Sequence, residues 1–451
     1  MTVDSGVQSC GAASRRRWGV WWGRGLRWLG WVALALSLLF GGYNLLSRFD
    51  PEFRSPFDEH THFDYWWRIY AQQTVPGVYD RMQHESLRIW GCYGDRVDGG
   101  YCPSSGQGAS EHENTASNYL PTFYAATAAM AWVLDQVVET HNLFHLAKLA
   151  NLAWGLIALV LIAWLARALQ VPWLLCAVLV FAVAQTPAFV FAAITLNQEM
   201  FVLLFCLAGL IGYVRRTADA GRWRFALESG LVAGICLTIK PTALLLPVML
   251  VMAELLASPR PWRERLWRVG TFSAVVVLVY LLCTVGINQW RGVHPSDGKM
   301  RDYLLGFGDT RGWRDWVAAI WIAFTRSTAS LHWRTLVDWN LPWPFLRFHP
   351  FILTMLAVVV PYLLVVEFRR WRASLAARLF FGAAAAFVVL PVALAVYLMF
   401  SDFPYFFQPR YYTAYVVVGV VMAMAFLSSL VREGMAAARR RWPGRFFFGS
   451  L

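Results

Sequence analysis

Residues 57–65 read Phe-Asp-Glu-His-Thr-His-Phe-Asp-Tyr and follow soon after the first long apolar run. Carboxylates are costly beside hydrocarbon, so the adjacent pair Asp58 and Glu59 at a membrane rim indicates a function. Such a pair could take the proton of a hydroxyl nucleophile, or hold a divalent cation such as Mg²⁺ or Mn²⁺. His62 lies three residues after Glu59, so on a helix it would share the face of Glu59 and orient it. The alternative is a solvated acidic loop.

Polar residues also interrupt apolar sequence at three later turns. The first holds Asn197 and Glu199, the second Lys240 and the third Arg410. Glu199 could join Asp58 as a metal ligand or support it as a base. Lys240 and Arg410 could bind a phosphate, the arginine through its bidentate fork and the lysine as a point charge.

Each of these residues also has a purely structural interpretation. Lys240, which precedes a proline, could extend its amine to lipid headgroups. Arg410 has tyrosines around it and could anchor the chain at the interface. Glu199 could be a solvated turn residue, and Asn197 could cap a helix.

The composition predicts a membrane protein. Of the 451 residues, 58% are hydrophobic and 15% are charged, whereas soluble domains have about 25% charged residues. The net charge of +13 comes from arginines in short tracts between apolar runs, which is the pattern of cytoplasmic loops. With no soluble basic domain to carry it, nucleic-acid binding is excluded.

Ten apolar runs are candidates for membrane crossings, since about 20 apolar residues span a bilayer. They are residues 28–46, 146–165, 172–189, 198–214, 225–239, 241–256, 269–287, 351–368, 379–400 and 414–430. The fold expected is all-α and polytopic.

The arginine tracts and the number of crossings predict the topology. Ten crossings place both termini in the cytoplasm, next to their arginines. One further apolar run, residues 119–138, would be an eleventh crossing and would place the C-terminal tail on the external side. It contains Pro121, and acidic residues stand at its end. We therefore expect a juxtamembrane helix there, on the external face.

This topology divides the chain into seven regions. They are a cytoplasmic N-terminal tail (1–27), the first transmembrane helix (28–47), an external loop with the acidic motif and juxtamembrane helices (48–145), transmembrane helices two to seven (146–290), a second external loop (291–350), transmembrane helices eight to ten (351–431) and a basic cytoplasmic tail (432–451). The two long external loops predict a working face in the periplasm, on a multi-pass protein of a cell inner membrane.

Cys92 and Cys102 are the two cysteines of the first external loop, and glycines surround them. On an oxidising face, two such thiols predict a disulfide. The alternative is a pair of free thiols. The spacing does not fit a zinc site, and no histidine lies between them.

Five short motifs resemble those of the GT-C superfamily of polytopic membrane glycosyltransferases. Residues 58–63 (Asp-Glu-His-Thr-His-Phe) are similar to the Asp-Glu-x-x-His-Phe signature after the first helix of several bacterial families. Residues 118–124 (Asn-Tyr-Leu-Pro-Thr-Phe-Tyr) resemble the proline–aromatic segment that opens their external juxtamembrane helix. Residues 196–199 (Leu-Asn-Gln-Glu), 237–242 (Leu-Thr-Ile-Lys-Pro-Thr) and 408–411 (Gln-Pro-Arg-Tyr) resemble a second acidic turn, a Thr/Lys helix junction and a late Arg-Tyr motif.

The resemblance implies an inverting sugar transfer on the external face, from a polyprenyl-phosphate sugar to a hydroxyl of a glycan, lipid or protein. It implies that Asp58 is the general base and that Glu59 and Glu199 position it or a metal. Lys240 or Arg410 would hold the donor phosphate. The chain lacks the His-Pro-Pro form of the protein O-mannosyltransferases and the lipid A aminoarabinose transferases, which leaves the acceptor open. Metal dependence varies across the superfamily, so Mg²⁺ or Mn²⁺ also stays open.

Three other functions are compatible with this topology. A polysaccharide polymerase or ligase would depend on arginines of the long external loop rather than on Asp58. A lipid-linked-sugar transporter would need polar groups near the middle of the bilayer, and the apolar runs contain few. A scaffold of an envelope assembly complex would tolerate Asp58→Asn.

Overall fold

The computed structural model consists of helices and their connections, without a β-strand among the residues that it describes. These are residues 8–53, 55, 59–77, 80–90, 114–138, 140, 142–291, 317, 374–399 and 413–441. The α-helices are α1 (Gln8–Arg48), α2 (Glu59–Gln72), α3 (His84–Trp90), α4 (Thr122–Asp135), α5 (Leu143–Ala168), α6 (Trp173–Ala184), α7 (Pro187–Ile194), α8 (Glu199–Gly212), α9 (Arg222–Arg224), α10 (Gly230–Ile239), α11 (Leu245–Ala257), α12 (Trp262–Trp290), α13 (Leu375–Met399) and α14 (Thr413–Arg441). Thr115–Asn118 and Pro241–Leu244 form 3₁₀ turns, and Tyr213–Thr217 and Phe225–Ser229 form π-helical turns.

Five of the described helical segments are long and apolar enough to cross a membrane. They are Arg27–Arg48, Leu143–Ala168, Glu199–Thr217, Trp262–Trp290 and Thr413–Ala436. The bent pair α6 and α7 is a sixth if it is one span. The prediction of an all-α membrane protein is confirmed at this level. The count of ten stays a prediction, because run 351–368 lies outside the described residues and runs 225–239 and 241–256 form shorter helices.

Prolines determine where two of the apolar runs break. Pro187 is the first residue of α7 and lies inside the run 172–189, which is broken there into α6 and α7 at an angle of 66°. Proline disfavours the helical conformation in the residue before it. Lys240, before Pro241, is accordingly extended, with φ −164° and ψ 149°. The break places the Lys240 side chain at the junction of α10 and the following 3₁₀ turn.

Arginines from several predicted cytoplasmic loops lie at one end of the helix bundle, here called the arginine-rich end. Arg260 donates to the carbonyl of Asp219 at 3.2 Å. The guanidinium of Arg215 lies 4.9 Å from the ring of Trp164, near the end of α5. Arg432 of α14 donates at 3.0 Å to the loop after α5. The ends of α5, α8, α11 and α14 and the start of α12 therefore come together there.

Helices α2, α3 and α4 form a layer at the other end, where Asp64 joins α2 to the start of α3 and to the residue before the 3₁₀ turn Thr115–Asn118. Its buried carboxylate accepts from the backbone N–H of Gln83 (2.9 Å), from the amide of Asn114 (2.7 Å) and from the hydroxyl of Ser86. Its other contact is an ion pair with Arg68, one turn later on α2, at 3.1 Å. Helix α4 has 14 residues, about 21 Å at 1.5 Å per residue, which is shorter than a bilayer core. Its external, non-crossing position stays a prediction.

Candidate functional site

Glu59 joins the acidic motif to the second acidic turn. It is the first residue of α2, where a carboxylate suits the helix dipole, and it is fully buried. One carboxylate oxygen accepts from the N–H of Ser55 at 2.7 Å, and the other accepts from the N–H of Leu196 at 2.8 Å. Because both oxygens hold backbone amides, Glu59 acts in this structure as a positioning group. It joins Ser55 and the start of α2 to Leu196, in the turn before α8, and we call this end of the bundle the motif end.

Two asparagines shape the turn before α8. Asn151 of α5 donates to the carbonyls of Ala192 (2.8 Å) and Thr195 (2.7 Å). This contact needs close packing of α5 on α7, and Gly155, one turn further along α5, allows it: an added Cβ would lie 2.7 Å from that of Ala193. Asn197 accepts from the N–H of Glu199 at 2.9 Å, as a helix-capping side chain does.

Glu199 and Lys240 form a buried ion pair. Their side chains are 1% and 7% exposed, and Lys240 Nζ lies 2.5 Å from Glu199 Oε1. The Lys240 ammonium also lies 5.9 Å from the ring centre of Tyr119. Glu199 Oε2 is buried and has no hydrogen-bond partner among the described residues. The pair is therefore a cation beside a carboxylate with one oxygen still able to accept a hydrogen bond.

His62 and Gln198 meet at the hydroxyl of Tyr124. His62 Nδ1 lies 2.6 Å from this oxygen, and the Gln198 amide donates to it at 3.0 Å. Since Gln198 occupies an acceptor position of the hydroxyl, the hydroxyl can donate to Nδ1. A neutral His62 would then carry its proton on Nε2. Gln198 Oε1 is buried and unpartnered among the described residues. The predicted role of His62, orienting Glu59, stays a prediction, and its observed partner is Tyr124.

Aromatic rings and Arg291 pack around the His62–Tyr124–Gln198 hydrogen bonds. Tyr65 stacks on Tyr124 with ring centres 3.9 Å apart, and its hydroxyl donates to the carbonyl of Tyr119 at 3.2 Å. Arg291, just after α12, donates to the carbonyls of Ser117 (2.6 Å) and Tyr119 (3.3 Å). Burial raises the pKa of Tyr65, against a smaller lowering by Arg291, and burial lowers the pKa of Arg291. Tyr65 therefore stays a neutral hydrogen-bond donor.

Lys148 was not selected from the sequence, yet it positions the segment that leads to the acidic motif. It is fully buried, and its amine donates to the carbonyls of Asp50 (2.6 Å) and Phe53 (2.8 Å). The ring of Phe144 lies 5.3 Å away. A lysine near the start of an apolar run, three residues before Asn151, was the available signal. Tyr124, also missed, stood within the motif at residues 118–124.

Four of the predicted site residues lie outside the described part of the chain: Asp58, Arg410, Cys92 and Cys102. The base, the second phosphate ligand and the disulfide therefore stay predictions. No cluster of three or more His, Cys, Asp or Glu side chains that could hold a metal occurs among the described residues. The ammonium of Lys240 beside Glu199 disfavours a second cation there.

No protein-family model matches the chain, and no curated protein or solved structure matches it either. The function therefore has to be inferred from the residues of the site and from the resemblance of the motifs.

Proposed function

We propose that the protein is a membrane glycosyltransferase of GT-C type. It would move a sugar from a polyprenyl-phosphate donor to an acceptor hydroxyl at the motif end, in the periplasm, with inversion at the anomeric carbon. The observation that supports this most is the double hydrogen bond of Glu59 to Ser55 and Leu196. It brings the acidic motif next to the turn whose Glu199 pairs with Lys240. A carboxylate base for the acceptor hydroxyl and a cation for the donor phosphate are both needed in such a reaction.

The proposed chemistry is one displacement. The acceptor oxygen attacks the anomeric carbon, the bond from that carbon to the phosphate oxygen breaks, and the hydroxyl proton passes to Asp58. Glu59 binds the backbone of Ser55, just before the motif, and of Leu196, in the second acidic turn, so its proposed role is to position Asp58. The polyprenyl phosphate leaves with its negative charge compensated by Lys240 and Arg410.

The Glu199–Lys240 pair would serve as the resting state of the phosphate site. A buried ammonium needs a counterion, and Glu199 provides one until the donor arrives. The donor phosphate then replaces Glu199 as the partner of Lys240. The carboxylate oxygens of Glu199 become available to the donor sugar or the acceptor. Because Lys240 would then be paired with the phosphate, Asp58 and Glu199 also stay the candidate ligands for Mg²⁺ or Mn²⁺ in that state.

A transfer assay tests the proposal. The purified protein in lipid nanodiscs is incubated with a polyprenyl-phosphate sugar and glycan, lipid or protein acceptors, and product is measured by mass spectrometry. We expect transfer by the wild type and a loss of about 10²–10⁴-fold in Asp58→Asn, the range for a general base. Asp50→Asn is the matched control, because Asp50 is an exposed acid of the same loop. Equal rates in Asp58→Asn and Asp50→Asn would exclude Asp58 as the base.

A further inference from the structure

Arg378 lies at the arginine-rich end of the bundle, far along the chain from the candidate site. It is on α13, one turn before Gly382, whose added Cβ would lie 3.0 Å from that of Ala253 on α11. Residues four apart share a helix face. Since α13 starts at the end where α11 finishes, Arg378 faces the last turn of α11, where Glu254 lies.

Glu254 already has its partners at this end. Its carboxylate accepts from the hydroxyl of Tyr213 at 2.9 Å and forms two contacts of 3.2 Å with the fully buried Arg268. Arg378 interacts electrostatically with the Tyr213 hydroxyl. The group thus contains two guanidinium cations and one carboxylate. Two positive charges minus one negative charge leave this group of Arg268, Arg378 and Glu254 with one net positive charge.

The unbalanced cation is Arg378. The residue is 8% exposed, and its Nε is buried without a hydrogen-bond acceptor in the part of the chain that the structure describes. A buried charge without a counterion destabilises the folded protein and favours the binding of an anion. Arginine, with its planar fork of donors, is suited to a phosphate, which it can bind through two hydrogen bonds.

The position of Arg378 within the bundle indicates which phosphate-containing molecule can reach it. Helix ends with arginines and exposed tryptophans lie at the level of lipid headgroups, and Trp223, Trp262 and Trp267 are exposed at this end. We propose that Arg378, with Arg268 and Tyr213 behind it, forms a binding site for a phosphate group, supplied by an anionic phospholipid headgroup. This site is separate from the motif end and is not needed for the proposed transfer.

Lipid binding tests this site directly. The purified protein is titrated with dioleoyl phosphatidylglycerol or dioleoyl phosphatidylcholine, and native mass spectrometry counts the lipids that stay bound to the folded protein. The wild type should retain phosphatidylglycerol in preference to phosphatidylcholine. Arg378→Gln should weaken phosphatidylglycerol binding about tenfold or more, the effect of losing a charged hydrogen bond. Arg263→Gln, the matched control, removes an exposed arginine of α12 at the same end and should change binding less than about twofold.

Two additional arms keep the outcome clear. Arg378→Lys keeps the charge but not the fork, so it should bind with intermediate affinity, and it carries the test if Arg378→Gln does not fold. Inorganic phosphate distinguishes the sources: if it raises the Tm in phosphatidylcholine and Arg378→Gln abolishes the rise, the site is an anion site for free phosphate. Unchanged phosphatidylglycerol binding in both Arg378 variants, or an equal loss in Arg263→Gln, would overturn the proposal.

Discussion

The two ends of the bundle each contain a buried carboxylate that is paired with a cation, yet the two carboxylates differ in how fully they are bonded. At the arginine-rich end, Glu254 receives hydrogen bonds from Tyr213 and Arg268 on both oxygens. At the motif end, Glu199 gives one oxygen to Lys240, and the other has no partner among the described residues.

The difference separates a carboxylate with a structural role, Glu254, from one that can itself bind a ligand, Glu199. Arg268 also donates to the carbonyl of Ala220, so the Glu254 group holds a loop that follows α8. A fully satisfied buried network stabilises one structure, and a replacement would leave buried groups unpaired. Glu199 Oε2 and Gln198 Oε1 at the motif end are acceptors for which the described residues provide no donor. Hydroxyl groups of a sugar or an acceptor are donors of the required kind.

The largest effect on stability is expected for Arg268→Met. The change leaves the Glu254 carboxylate buried without its cation, which costs about 3–5 kcal/mol. The free energy of unfolding in mixed micelles measures this loss. Arg263→Met, on the same helix but exposed, should stay within about 0.5 kcal/mol of the wild type. Equal values for the two variants would show that the Glu254 group is not a stabilising network.

Asp64→Asn tests what gives a buried carboxylate a structural role: the number of its hydrogen bonds, or the end of the bundle at which it lies. Asp64 is at the motif end but is fully bonded, like Glu254. An amide at this position would face the amide of Asn114 and lose the ion pair with Arg68. We expect a loss of about 3 kcal/mol, the upper range for an unsatisfied buried group.

Hydrogen exchange should locate the effect of Asp64→Asn. Faster exchange in residues 83–90 and 114–118, with α10 and α11 unchanged, is the expected pattern. Uniformly faster exchange across all helices would mean that Asp64 does not act on the layer of α2, α3 and α4 alone.

A smaller effect on stability is expected for Tyr124→Phe. The change removes the hydroxyl between His62 and Gln198 and keeps the ring that stacks on Tyr65. The cost should be about 2 kcal/mol, from about 1 kcal/mol for each of the two hydrogen bonds that are lost. The transfer rate per folded molecule should also fall, because a displaced Gln198 would move the neighbouring Glu199. Wild-type kcat and KM in this variant would show that the contacts of His62 and Gln198 with Tyr124 have no role in transfer.

The sequence was sufficient to predict a membrane protein and several of its spans, because a run of about 20 apolar residues is costly to expose to water and long enough to cross a bilayer. Runs 28–46, 146–165, 198–214, 269–287 and 414–430 each coincide with a candidate span. The break at Lys240 was also readable from Pro241. The junctions of the remaining runs depend on packing between helices, which the hydropathy pattern does not contain.

The buried charges show why the rest was not predictable. Arg268 was one of a tract of arginines, and hydropathy cannot distinguish it from the exposed Arg263. Glu254 stood in an apolar run, and its partners lie on two other helices. The same holds for Glu199 and Lys240, which are 41 positions apart. The predicted topology places Glu199 and Lys240 on the same side of the membrane. Their contact depends on how α8 packs against α10, which the topology does not predict.

The most direct test compares two matched variants, Glu199→Gln and Glu254→Gln. Each replaces a buried carboxylate that is paired with a cation, so each should lose stability. The decisive quantity is the rate of sugar transfer from a polyprenyl-phosphate donor per folded molecule. We expect a fall of about a hundredfold in Glu199→Gln, since a misplaced Lys240 would no longer align the donor phosphate, and a rate within about twofold of the wild type in Glu254→Gln. A rate that falls equally in both variants, or a wild type that transfers no sugar, would contradict the account.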